Sequence, residues 1–311
     1  FTSSIPCAVL MPNAVYFVVC ALIWGTTWFA INFQIDTINP AYSVGIRFFI
    51  AAIILGGIAL LKRYPLLFSW RYHRSFIAGG LFLYALDYTL LYAAQQHIVS
   101  ALLALMSSSV VYFNVILRRV VLGKPMRPEV IIGATLGFIG IAAIFAPELK
   151  ALEQQGYILI GILFALGSFT SASVGNILSE KVLETVPVVS FNFYTMLYGS
   201  LIIAAGLIVT QTPVIWPERP SFYIALLYLA VFGSVVAFGC YMKLVQQIGS
   251  DKAAYVVLVY PLVALLVSTL FEDYQWSVLS AFGVLLVLVG NACAMGKVPL
   301  HRWFPQFTFN Q

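Results

Sequence analysis

Two ionisable side chains of this sequence, Arg47 and Asp87, each lie inside a long run of almost entirely apolar residues. A charge in such surroundings is costly, so it normally has a partner or faces an interior cavity with a function. The Arg47 guanidinium could bind the carboxylate of a small molecule through two parallel hydrogen bonds. It could equally be an anchor, bonded to loop carbonyls or to an acidic partner near one end of its helix.

Asp87 is flanked by two tyrosines, Tyr84 and Tyr88. Helical spacing of three and four residues predicts that all three side chains share one face. A carboxylate among tyrosine hydroxyls could bind an amino group, or it could accept and release a proton. The alternatives are that Asp87 pairs with Arg47, or that it makes a satisfied hydrogen bond between helices.

Polar and aromatic side chains in other apolar stretches could line a cavity around these two charges. The aromatic ones could stack on an apolar or aromatic substrate, although rings packed between helices are the structural alternative. The small polar ones could equally let helices approach and hydrogen-bond to each other. The candidate binding residues are Trp24, Trp28, Arg47, Tyr84, Asp87, Tyr88, Ser108, Asn114, Phe169 and Asn176.

The composition indicates the elements that must position these residues. Hydrophobic residues make up 62% of the chain, charged residues 9%, and the mean hydropathy is +0.98. A soluble domain has about 25% charged residues, so lipid is the expected solvent. The apolar runs match helices that cross a ~30 Å hydrocarbon core, and none shows the alternation of a barrel strand. We predict an all-α integral membrane protein with ten transmembrane helices: Ala14–Phe33, Ala41–Leu61, Phe76–Ala94, Ser100–Leu117, Val130–Ala146, Tyr157–Leu178, Val188–Val209, Phe222–Met242, Ala253–Phe271 and Trp276–Met295.

The basic residues predict the orientation of these helices. With ten crossings, thirteen of the sixteen Lys and Arg residues fall on one side, and only Lys150 and Arg219 fall on the other. The positive-inside rule then places both termini in the cytoplasm. The net charge of +5 is dispersed over short loops, which gives no reason to expect a nucleic-acid partner. Glu180 and Glu184, at the end of the sixth helix, are either solvated there or part of a gate.

The two halves of the sequence weakly repeat each other. The matching pairs are Pro40 with Pro187, Ser43 with Ser190, Gly133 with Gly283, and Gly140 with Gly290. Because five is odd, a tandem copy of a five-helix unit enters the membrane in the opposite sense, which gives inverted repeats with a site between them. The predicted organisation is an N-terminal segment that is a fragment or an artificial remnant (1–13), a first repeat (14–146), a periplasmic linker (147–156), a second repeat (157–295) and a cytoplasmic tail (296–311).

Several motifs resemble those of the drug/metabolite transporter superfamily, in its EamA-type branch with two five-helix repeats. They are Trp24-Gly25-Thr26-Thr27, Pro40 followed by Arg47, Tyr260-Pro261, Glu272, and Gly283 with Gly290. The resemblance extends from Met11 to Met295. It implies a carrier in the bacterial inner membrane, usually an exporter, of small metabolites such as amino acids. The proline that the family has in its fourth helix is absent here, where residues 107–111 read SSSVV.

The expected function is therefore that of a secondary transporter that exports small amphipathic metabolites by alternating access. Its partners would be a small-molecule substrate and the bilayer, with Asp87 as the candidate proton-coupling residue, and the protein would be a monomer or a homodimer. An antiporter of phosphorylated solutes or nucleotide sugars is the first alternative, disfavoured because Arg47 is the one intramembrane cation. A membrane-embedded enzyme is disfavoured because catalytic, metal-binding and nucleotide-binding motifs are missing, and no cofactor is expected.

Overall fold

The computed structural model describes residues 12–35, 38–123, 128–152, 158–214, 216–271 and 276–294. All regular structure within these ranges is helical. The helices are α1 (Asn13–Ile35), α2 (Pro40–Leu61), α3 (Trp70–Gln95), α4 (100–122), α5 (Pro128–Leu152), α6 (Ile158–Leu183), α7 (Val188–Val209), α8 (Pro220–Ile248), α9 (Tyr255–Phe271) and α10 (Val278–Ala294). The predicted tail (296–311) and most of the predicted N-terminal segment lie outside the described residues.

Three helices change their hydrogen-bonding pattern part-way along. A π-helical segment occupies Leu81–Leu86 of α3, and a second occupies Leu229–Val236 of α8. In α4 the three serines Ser107–Ser109 form a turn of 3-10 helix. A separate one-turn helix, Ser250–Ala253, precedes α9. Such irregularities shift the faces that the flanking residues present, and they are common at functional sites.

Local sequence explains where several helices begin and end. The side-chain oxygen of Asn39 accepts a hydrogen bond from the Ala41 amide at 3.0 Å, and Pro40 occupies the first turn of α2. Gly123 ends α4 in the left-handed region, with φ of 65°. Gly249 has φ of 84° and separates α8 from the short helix before α9. These two positive φ angles are conformations that glycine adopts at little cost.

Seven of the helices (α1, α2, α3, α4, α6, α7 and α8) are long and apolar enough to cross a membrane. Shorter apolar stretches lie in α5, α9 and α10. The prediction of an all-helical membrane protein is thereby confirmed, whereas ten crossings and two repeats stay predictions. Most helices also extend past their predicted spans; α3 begins at Trp70 rather than Phe76, and α5 continues to Leu152. The apolar run marks the hydrocarbon core, and backbone hydrogen bonding continues beyond it.

The helices pack as two pairs beside a central group of six. Helix α2 packs along α7, and α5 along α10. The α5–α10 pair approaches backbone to backbone: a Cβ added at Gly140 would lie 2.6 Å from the carbonyl oxygen of Gly283 and 2.8 Å from the Val287 nitrogen. Small residues permit this approach between membrane helices. Helices α1, α3, α4, α6, α8 and α9 form the central group and enclose a cavity.

Candidate functional site

The central cavity has a volume of about 90 Å³, and seven of the seventeen described residues that line it are aromatic. Trp24 and Trp28 of α1, Phe238 and Tyr241 of α8, and Tyr260 of α9 line it. The rings are in mutual contact, because the ring centres of Trp24 and Tyr241 lie 5.0 Å apart and those of Trp28 and Tyr260 lie 5.9 Å apart. Such a wall suits a ligand with an apolar or aromatic body.

The two π-helical segments help to position side chains around this cavity. The indole Nε1 of Trp24 donates a hydrogen bond of 3.2 Å to the carbonyl oxygen of Gly233, which lies in the π-helical segment of α8. Asp87 follows directly after the π-helical segment of α3. Because the turn widens before Asp87, the α-helical spacing that relates it to Tyr84 no longer applies. Tyr84 is accordingly buried away from the cavity, against Phe48 and Phe238.

Asp87 lines the cavity and remains partly accessible. Its Oδ1 accepts a hydrogen bond of 2.6 Å from the Ser168 hydroxyl of α6. Among the described residues, Ser168 is its one hydrogen-bond partner, and none provides a cation at ion-pairing distance. Of the described residues that line the cavity, Asp87 is also the only charged one. The site therefore combines one accessible carboxylate with an aromatic surround.

Arg47 lies outside the cavity and is 1% exposed. Its Nε donates to the Ser234 hydroxyl at 2.9 Å and its Nη1 to the Tyr92 hydroxyl at 3.2 Å. The guanidinium carbon lies 4.7 Å from the ring centre of Tyr88, a ring that itself lines the cavity. In the described part of the chain no carboxylate pairs with Arg47. Its partners are hydroxyls and an aromatic face, so its visible role is to join α2 to α3 and α8.

The remaining candidates divide between the cavity and its surroundings. Those that line it are Trp24, Trp28, Asp87, Tyr88, Phe169 and Asn176, whereas Arg47, Tyr84, Ser108 and Asn114 do not. Ser108 is buried, and its neighbour Ser107 reaches the cavity instead, where its hydroxyl lies 2.5 Å from that of Tyr260. Asn114 lies further along α4 and donates to the Ser250 carbonyl oxygen at 3.3 Å.

Several cavity residues were not among the sequence candidates, notably Phe238 and Tyr241. The repeat predicted from the sequence offers a signal that could have found them. When the ends of the two π-helical segments, Leu86 and Val236, are aligned, Tyr88 corresponds to Phe238. Leu91, which also lines the cavity, then corresponds to Tyr241 by the same shift. A repeat alignment through α3 and α8 would therefore have nominated both rings.

Polar contacts join the helices at each end of the cavity. At one end Arg118 Nη2 of α4 donates to Glu180 Oε1 of α6 at 2.7 Å, and the backbone nitrogen of Ser250 donates to Glu180 Oε2 at 3.1 Å. Arg118 lies eight residues beyond the cavity residue Val110, or about 12 Å along the helix axis. At the other end the hydroxyls of Ser100 in α4 and Ser268 in α9 lie 3.4 Å apart.

Comparison with known proteins identifies the family to which this chain belongs. A model of the EamA-like transporter family matches residues 11–146 and 159–295. The chain belongs to the EamA-like transporter family. This confirms the resemblance to EamA-type members of the drug/metabolite transporter superfamily. The protein is thus a membrane transporter with several spans. No group of three or more metal-ligating side chains occurs among its described residues.

Individual relatives of this EamA-like transporter align along nearly its whole length. It is 26% identical over 277 residues to the uncharacterized inner membrane transporter YedA of Escherichia coli K12, covering 87% of this chain and 88% of YedA. It is 24% identical over 277 residues to the protein PagO of Salmonella typhimurium, covering 89% of this chain and 90% of PagO. One crystal structure superposes with a TM-score of 0.71 at 20% identity, covering 92% and 97% of the two chains, which shows a shared fold.

Proposed function

We propose that this EamA-like transporter is a secondary carrier that exports small amphipathic metabolites, amino acids or related compounds, by alternating access. The observation that carries the proposal is the central cavity, which is enclosed by six helices and contains one accessible carboxylate. Carriers of this kind bind substrate near the middle of the membrane and open the site to one side at a time. Contacts that join the helices at both ends of the cavity fit such gating.

In this proposal all ten helices cross the membrane as two inverted repeats, 14–146 and 157–295, joined by the periplasmic linker 147–156. The two stretches matched by the family model support it. The packing also supports it. In an inverted repeat each helix corresponds to the helix five places along the chain, so the contacts of α1 with α9 and α8 should have counterparts between α6 and the helices α4 and α3. Both counterparts are present. The α2–α7 and α5–α10 pairs exchange with themselves. Both third helices, α3 and α8, contain a π-helical segment.

The orientation follows from the distribution of Lys and Arg, which puts both termini in the cytoplasm. The contacts of Arg118, Glu180 and Ser250 then form the cytoplasmic gate, and Ser100 with Ser268 belongs to the periplasmic side. In the cycle, the cytoplasmic gate opens to admit substrate to the cavity, and it closes before the periplasmic side opens. The halves would rock about the cavity between these two states.

The proposed roles of the site residues follow their positions. Asp87 binds the polar group of the substrate and is the candidate residue for proton coupling. The aromatic wall holds the apolar body, and Arg47 acts through Tyr88 by fixing the position of that ring. The antiporter of phosphorylated solutes has less support, because the described residues that line the cavity include no Lys or Arg.

The test is counterflow in proteoliposomes made with the full chain. Vesicles preloaded with unlabelled compound should accumulate the labelled form transiently, and empty liposomes should not. The panel comprises radiolabelled amino acids, amphipathic amines and phosphorylated sugars. Counterflow of an amino acid or amine is the expected result. Failure of every compound would contradict the proposal, and uptake driven by internal phosphate would favour the antiporter.

A further inference from the structure

The charges around the cavity restrict the kind of substrate that it can bind. We propose that the site selects organic monocations with an aromatic or apolar body over zwitterions and anions that have the same body. The inference rests on the proposed carrier function and specifies what that carrier binds. Three features of the site support it: a carboxylate with one oxygen that lacks a described donor, an Arg47 already bonded to protein groups, and aromatic rings in the cavity wall.

The first feature is the unused bonding capacity of Asp87. One of its oxygens accepts from Ser168, and no described residue donates to the other. An ionised carboxylate in a narrow apolar cavity is poorly solvated, so it gains strongly from a cation or a charged donor. The protein supplies none from the described cavity wall. A substrate ammonium group would complete the site, with the apolar body directed away from Asp87.

The second feature is that Arg47, the one basic residue within the membrane core of α2, is not available to a substrate. Its guanidinium bonds to Ser234 and Tyr92 and lies over the ring of Tyr88, which lines the cavity, whereas Arg47 itself does not. A substrate carboxylate would therefore meet only neutral donors. It would also be repelled by Asp87, because like charges in a site of low dielectric destabilise each other. Zwitterionic amino acids would therefore bind less tightly than cations with the same body, and anions would bind less tightly still.

The third feature is the set of aromatic rings that line the same cavity as Asp87. Trp24, Trp28 and Tyr260 present ring faces or edges within about 6 Å of each other, as their centre-to-centre distances of 5.9 and 6.1 Å show. Aromatic faces attract cations, including quaternary ammonium groups that donate no hydrogen bond. The same rings stack on an apolar body. The wall therefore favours both parts of an amphipathic cation.

The test compares ligands that share an indole ring and differ in charge: tryptamine, N,N,N-trimethyltryptammonium, tryptophan and indole-3-acetate. Binding to the full chain in lipid nanodiscs is measured by titration calorimetry. Both cations should bind more tightly than tryptophan by roughly tenfold or more, because the tryptophan carboxylate would lie near Asp87 without a cationic partner, and indole-3-acetate should bind most weakly. Equal affinity for tryptamine and tryptophan, or no binding of any of the four, would overturn the inference.

Variants assign the selectivity to Asp87. Asp87→Asn should abolish the preference for cations, whereas Asp87→Glu should retain it. Glu184→Gln is the matched control, because this carboxylate is exposed and outside the cavity. If Asp87→Asn does not fold, the reaction of wild-type Asp87 with dicyclohexylcarbodiimide, followed by mass spectrometry, replaces it. Tryptamine should protect Asp87 and indole-3-acetate should not; equal protection would contradict the inference.

The outcomes separate this inference from the proposed function. Counterflow of tryptophan without any preference for cations would support the proposed carrier function and contradict the proposed selectivity for cations. Binding that is selective for cations, without counterflow of any compound, would support the site and contradict the carrier.

Discussion

The contact between Arg118 and Glu180 gives the most direct test of alternating access. The substitution Glu180→Gln removes the negative charge while keeping the shape of the side chain and an oxygen that can accept from Ser250. In the wild type Arg118 donates to both oxygens of Glu180, at 2.7 to 3.3 Å, and the Ser250 hydroxyl donates to Oε2 at 2.5 Å. These bonds join α4 and α6 to the short helix before α9, so in the proposed cycle they break when the cytoplasmic side opens.

The size of the effect depends on how exposed the contact is. An exposed ion pair contributes up to about 1 kcal/mol, and removing one partner of a buried pair costs roughly 3–5 kcal/mol. The side chains of Arg118 and Glu180 are 19% and 16% exposed, which places this pair between the limits. We therefore expect Glu180→Gln to stabilise the cytoplasm-open state by roughly 2 kcal/mol relative to the closed state. Since about 1.4 kcal/mol is a factor of ten, the open population should rise about 30-fold while it is the minor state.

The assay is reaction of one cysteine with a membrane-impermeant maleimide. Ala172→Cys places a thiol at the cavity in a background where the four native cysteines are replaced. The labelling rate in inside-out vesicles follows the population of the cytoplasm-open state while that state is minor, so Glu180→Gln should raise the rate about 30-fold. Glu184→Gln, in the turn just after α6 and exposed, should leave the rate unchanged.

Two results would refute the reasoning. An unchanged rate in Glu180→Gln would show that the contact does not hold the cavity closed. A rise confined to right-side-out vesicles would show that the contact lies on the periplasmic side, contrary to the orientation deduced from Lys and Arg. The double variant Arg118→Met with Glu180→Gln should label no faster than the faster-labelling single variant, because each single change already breaks the Arg118–Glu180 bonds.

Three further predictions concern the charges and the helix packing. Asp87→Asn should lower counterflow by roughly tenfold or more and remove its pH dependence while the protein stays monodisperse; normal transport with an unchanged pH profile would exclude proton coupling through Asp87. Arg47→Met should lower the free energy of unfolding by about 2–4 kcal/mol, because it leaves the Ser234 and Tyr92 hydroxyls without their donor. Arg47→Lys should recover part of the lost stability, as measured by the shift of the thermal midpoint. Gly140→Ala should destabilise the α5–α10 contact, whereas Gly239→Ala, where no other group lies within 4 Å of the added Cβ, should be neutral or stabilising by up to about 1 kcal/mol. Equal thermal midpoints of the two variants would contradict the close approach of α5 and α10.

The sequence predicts the fold well where a single physical property decides it. Runs of about twenty apolar residues locate the helices, because the bilayer fixes the length that backbone groups must span while bonded internally. The ends are predicted less well, since α3 begins at Trp70 and α6 continues to Leu183, past the apolar runs. A helix can continue into the interface, where water and headgroups replace lipid, and hydropathy does not register that extension.

The candidate site is only partly predictable, because helical spacing is not constant along these helices. The spacing that groups Tyr84 with Asp87 assumes an α-helix, but Tyr84 lies in a π-helical segment and is buried elsewhere. Ser108 is similarly displaced by the 3-10 turn, which leaves Ser107 at the cavity. Which face of a helix meets which neighbour is decided by packing between distant segments, such as Trp24 against Gly233. No local pattern contains that information.

Arg47 and Asp87 illustrate why two charges of similar cost to bury can have different roles. Had they formed an ion pair, the pair would have satisfied both charges, and a substrate would have had to displace Arg47 to reach the carboxylate. In the structure Arg47 is satisfied by the hydroxyls of Ser234 and Tyr92 and by the Tyr88 ring. Asp87 keeps one oxygen without a described donor at the cavity wall. A carrier must bind its substrate and then release it, so a carboxylate held by one neutral hydroxyl is better suited to exchange than one locked in a buried pair.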